Sequence, residues 1–155
     1  MVWLQSVLLF VHILGAIFWF GSGLFLQFVI VPAVVGMPFE AQKSFLVTLA
    51  ARYGKIIGAV AGVTILFGLG RGIAVGVLGN LGSAYGLTFL VSIVAAVAVS
   101  VIGARFIGPT AAKMAEADTR DEVIRLASQI RGYGRFDTGG MLLLVALMVA
   151  MRAGY

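Results

Sequence analysis

The chain has 155 residues, 61% of them hydrophobic and only 11% charged, with a mean hydropathy of +1.10. Soluble domains carry about 25% charged residues, so a surface this poor in charge requires lipid as its solvent. The net charge of +5 sits in short segments between apolar runs, which excludes nucleic acid as a partner. The absence of cysteine excludes disulfides, thiolate metal sites, iron–sulfur ligation and covalent c-type haem.

In chain order, the first apolar span runs from about residue 3 to 32, broken in polarity only by Gln5, Ser6, His12, Ser22 and Gln27. No basic region precedes Val7 and the run outlasts a cleavable signal, so a retained helix is expected. The second span covers about 53–78, the third 84–107 and the fourth 136–153. Each matches the roughly 20 residues that cross ~30 Å of hydrocarbon. The third stops at Gly108-Pro109, where proline ends or kinks a helix. The expectation is an all-α, single-domain bundle of four transmembrane helices over residues 1–155.

Two connections carry charge. Residues 36–52 hold Glu40, Lys43 and Arg52, and residues 109–135 form a longer polar segment. Within it, Thr119-Arg120-Asp121-Glu122 has the spacing of a capping box, followed by Val123, Ala127 and Ile130 at helical spacing and then Gly132 and Gly134. A short amphipathic surface helix is expected there, between helices 3 and 4. The connection from Gly79 to Ser83 is tight and uncharged. Nine basic residues (Lys43, Arg52, Lys55, Arg105, Lys113, Arg120, Arg125, Arg131 and Arg135) fall on one side, with Arg71 and Arg152 on the other. The positive-inside rule then places the charged loops in the cytoplasm and both termini outside, in a plasma (inner) membrane.

Small residues mark two helix faces. Gly54, Gly58 and Gly62, then Gly68, Gly72 and Gly76, fall within one arc of the second span. Ala84, Thr88, Ser92, Ala96, Ser100, Ala104 and Gly108 recur every fourth residue along the third. In lipid such seams favour close helix contact, within one chain or between two in a homodimer.

His12 is the only histidine, and it lies in a span on a face with Gly15, Ala16, Trp19 and Gly23. Ionisable residues at membrane depth are functional candidates: His12 is either a haem or metal ligand, a proton carrier, or a neutral imidazole bonded to another helix. Arg71 sits near the outer end of the second span. It either snorkels to the interface or pairs with an anion such as a haem propionate. Met141, Met148 and Met151 form one stripe of the fourth span, as gap-filling core or as thioether ligands for Cu(I) or haem, with Met148 and Met151 at the depth of His12. Arg105, Arg131, Arg135 and Asp137 are expected to form an ion-paired rim that attracts anionic headgroups. No catalytic arrangement is apparent, and whether the chain is an enzyme is left open.

The segment His12-Ile13-Leu14-Gly15-Ala16-Ile17-Phe18-Trp19-Phe20-Gly21 resembles the first helix of the copper-resistance D superfamily of membrane proteins. Val31-Pro32-Ala33 looks like that helix's end, and Ile65-Leu66-Phe67-Gly68-Leu69 is similar to the second helix of the related HemJ-type protoporphyrinogen oxidases. The resemblance implies b-type haem on His12; helix face and depth in the membrane add Gly15, Trp19, Arg71 and Met148 as the residues around it. Three functions follow as expectations. The first is a haem-b protein for electron transfer or porphyrin chemistry, with a redox partner, whose second axial ligand is Met148, Met151 or His12 of a second copy. The second is a copper-handling transporter using His12, Met148 and Met151. The third is a non-catalytic packing subunit of a larger membrane complex.

Overall fold

The computed structural model describes residues 2–155, and four long helices account for nearly all of them: α1 Val2–Gly36, α2 Phe39–Ala74, α3 Ala84–Glu116 and α4 Arg120–Arg152. All four are apolar and long enough to cross a membrane, and the chain is a multi-pass, all-α membrane protein. The helices run up and down, so the two termini share one end (the terminal end) and the two charged turns share the other (the charged end). Chain neighbours pair as hairpins, α1 with α2 and α3 with α4.

Helices of 33–36 residues reach about 50 Å at 1.5 Å per residue, well beyond ~30 Å of hydrocarbon. The excess lies at the charged end, and it explains where the sequence expectations miss the boundaries. Residues 39–52 are the first turns of α2, and the surface helix expected over 119–131 is continuous with the fourth span through Gly132 and Gly134. Polarity there marks emergence from lipid, not an end to the helix. The expected cap does form: the Thr119 side chain accepts a hydrogen bond from the Glu122 N–H at 3.3 Å.

The best-packed part of the molecule is this charged end. Val31 and Val34 from α1, Leu46 from α2, Met114 and Ala115 from α3, and Val123, Leu126, Ala127 and Ile130 from α4 form one buried cluster. Burial there is driven by water exclusion. Gln42 is fully buried beside it, its Nε2 donating to the Val34 carbonyl at 2.7 Å and to the Val35 carbonyl at 3.3 Å. Those carbonyls belong to the last turn of α1, where intrahelical partners run out. Nearer the middle, a smaller cluster of Trp19, Ala61, Val99, Met141 and Leu144 joins all four helices. Phe10, Leu14, Ile17 and Phe28 of α1 remain exposed, facing lipid.

The two hairpins share one interruption. In α1 the residues Leu26–Ile30 form a π turn, the Val31 N–H bonding the Leu26 carbonyl, with Pro32 just beyond. In α3 the residues Gly103–Ile107 do the same, the Gly108 N–H bonding the Gly103 carbonyl, with Pro109 beyond. Every equivalent pair (26 and 103, 30 and 107, 32 and 109) is 77 residues apart. Proline offers no N–H and crowds the carbonyl four residues back, and a π turn accommodates both effects without ending the helix. At the terminal end, Gly76 at φ 82° turns the chain out of α2, and Ser83 caps α3 by accepting from the Gly86 N–H at 3.0 Å.

Candidate functional site

Three side-chain bonds to backbone carbonyls tie α1 to α2 or α2 to α1 at successive depths. Gln5 Nε2 donates to the Ala74 carbonyl at 2.7 Å, His12 Nδ1 meets the Thr64 carbonyl at 2.7 Å, and the Tyr53 hydroxyl donates to the Ser22 carbonyl at 3.0 Å. A carbonyl only accepts, so Nδ1 of His12 is the donor in this contact and Nε2 is the nitrogen turned away from it. Outer-sphere bonds of this kind fix the tautomer of metal-ligating histidines. The ring lies against Gly68, where any Cβ would collide with it, and Gly15 admits Thr64 in the same way. Two glycines from the predicted faces thus make the room in which His12 sits, half-buried.

Arg71 lies three residues beyond Gly68 on α2, on neighbouring surface of the helix. Its Nη1 is buried and has no hydrogen-bond partner. Trp19 is buried in the central cluster, and so is Met141, whereas His12, Met148 and Met151, all half-buried, lie outside both core clusters. Among the described residues, no three His, Cys, Asp or Glu side chains gather to hold a metal ion. The structure therefore brings together His12, Gly15, Thr64 and Gly68, with Arg71 a turn away, while Trp19 faces a different space.

That space is a cavity of about 860 Å³ on the charged-end side of His12, reached by Trp19, Tyr53, Gln27 and Asp137. Gly54, Gly58 and Gly62 line it from α2, and Gly103, Ala104 and Gly108 from α3. A Cβ added at Gly54, Gly58, Gly62 or Gly103 would meet nothing within 4 Å. The small-residue faces of α2 and α3 thus differ from the tight seams expected of them: only their terminal-end portion packs closely, with Gly72 against Phe89. The ion-paired rim expected around Asp137 also differs. The ion pairs among the described residues are Lys43–Asp118 at 3.5 Å and Arg125–Glu122 at 3.4 Å.

Instead, Asp137 turns inward against α1. A Cβ at Gly23 would stand 3.6 Å from its Oδ2, and one turn away the Gln27 amide fills the space beside Gly134.

No family model, curated protein or solved structure matches this chain.

The geometry of its own side chains is therefore the basis for function. Sequence reasoning missed the cavity and Asp137's place in it. The available signal was that Asp137 stands alone, fifteen residues past Glu122 and within the fourth helix.

Proposed function

We propose that this is a haem-b-binding protein of a plasma membrane, with His12 as an axial ligand, acting in electron transfer or porphyrin chemistry. The observation that carries the reading is the 2.7 Å contact of His12 Nδ1 with the Thr64 carbonyl, which leaves Nε2 as a basic, oriented donor. A second observation fits the same group: the buried, unpartnered Nη1 of Arg71 suits a propionate carboxylate. His12 and Arg71 would hold the haem, and bound haem would supply a one-electron couple. The chain's own part is to fix the imidazole, to offer a cation to the propionate and to keep water from the ring through the lipid-facing α1.

One histidine supplies one axial ligand, so the second would come from Met148, Met151 or His12 of a second copy in a two-fold dimer. The excess of basic residues at the charged end puts that end in the cytoplasm and both termini outside. The test is an absorption spectrum of detergent-purified protein, oxidised and then dithionite-reduced. A Soret band with sharp reduced α and β bands is expected, lost in His12→Ala. Full haem retention in His12→Ala, or a featureless spectrum from haem-replete cells, overturns the reading. Stoichiometric copper in a colourless protein, lost on replacing Met148 and Met151, would favour copper handling instead.

A further inference from the structure

Helices α2 and α3 touch at both ends and part between them. At the terminal end Gly72 is packed on Phe89, and at the charged end Leu46 and Met114 share a core. Between these contacts lies the cleft of about 860 Å³, within the 300–1,000 Å³ range typical of ligand sites. Its α2 wall carries a glycine stripe, Gly54, Gly58 and Gly62, flanked by Tyr53, Ile57 and Ile65, and a Cβ at any of the three glycines would meet nothing within 4 Å.

Three independent features point to an occupant. First, Asp137 is the one acidic residue on the cavity wall, and it makes no ion pair with any described residue. A carboxylate among apolar helices carries a heavy desolvation cost unless a cation answers it. The other polar groups on the wall leave it unanswered. The Tyr53 hydroxyl is committed to the Ser22 carbonyl, the Ser100 hydroxyl to the Ala96 carbonyl, the Gln27 amide is wedged beside Gly134, and the exposed Lys55 makes no ion pair with Asp137. Second, Trp19 is among the residues of the same wall, and aromatic side chains attract organic cations. Third, both π turns border the cleft, through Gln27 of the first hairpin and Gly103 of the second. Many secondary transporters likewise place their ligand sites beside helix irregularities at corresponding positions of two repeats.

We propose that the cleft is a binding site for a lipophilic monovalent cation, its positive centre held by Asp137 and its apolar body lying on the glycine wall of α2. Charge selects the ligand and the missing side chains make room for its bulk. The site is separate from His12 and does not depend on the haem reading.

Equilibrium binding of radiolabelled tetraphenylphosphonium to the purified full chain in nanodiscs tests it, with tetraphenylborate as a probe of the same shape and opposite charge. Saturable binding of the cation and at least tenfold weaker binding of the anion are expected. Asp137→Asn should lower cation affinity at least tenfold and remove the preference between the two probes. Gly58→Leu, whose side chain would enter the cleft, should weaken cation binding while Asp137 stays in place. His12→Ala should bind the cation as the wild type does, which separates this result from any failure of the haem reading. Wild-type cation affinity in a folded Asp137→Asn variant, equal uptake of both probes, or no saturable binding would each overturn the proposal.

Discussion

Replacing Gly68 and Gly58 by alanine, one at a time, separates packed from open surface on a single helix. Both residues lie inside α2, ten residues apart, so the gain in helix propensity on going from glycine to alanine, about 1 kcal/mol, is common to both. At Gly58 the new methyl meets nothing within 4 Å, and the gain stands alone. At Gly68 it lands on the His12 ring, which is held by its bond to Thr64. Overpacking costs about 1–3 kcal/mol, and displacing the ring forfeits a hydrogen bond worth about 1 kcal/mol more. Gly58→Ala is thus expected to be unchanged or up to about 1 kcal/mol more stable, and Gly68→Ala about 1–3 kcal/mol less stable. Reversible unfolding in mixed micelles by titration with sodium dodecyl sulfate, followed by far-ultraviolet circular dichroism, measures both. Equal destabilisation by the two changes would refute the reasoning, because it would mean that the face at Gly58 is packed.

Two further changes test the charged end. Gln42→Leu should cost about 1–3 kcal/mol in the same titration, since it strips the donor from the Val34 and Val35 carbonyls inside a closed core; a neutral result would show those carbonyls finding other partners. Thr119→Ala should cost about 1 kcal/mol through loss of the α4 cap, with Thr119→Ser retaining most of it, and hydrogen exchange should rise first at Glu122, whose N–H loses its acceptor.

The number of helices and their apolar character were legible because a 20-residue apolar run has few alternatives in lipid. The helix ends were not, since the same helix continues from hydrocarbon into water and changes only its polarity; Phe39 to Arg52 and Arg120 to Arg135 are the examples. The contact of His12 with Thr64 was visible only as a type, a histidine needing a partner, because the partner is a backbone carbonyl 52 residues away. The glycine pattern marked where helices lack bulk, but pattern alone does not say whether a neighbouring helix or a cavity takes up the space. Gly72 and Gly58 share a helix face and have opposite surroundings. The paired π turns were written in part as Pro32 and Pro109, and only the backbone reveals that each is absorbed without ending its helix.

The closed core at the charged end imposes a timetable on synthesis. Val31, Val34 and Leu46 are made early, yet the residues that cover them run to Ile130, roughly 80 residues later. At about 5–20 residues per second the first hairpin waits for about 4–16 s with an apolar patch facing water. During that interval the nascent chain is a client for whatever shields such patches at the ribosome, and it is released only when the base of α4 emerges. A pause in translation after α2 would lengthen the wait.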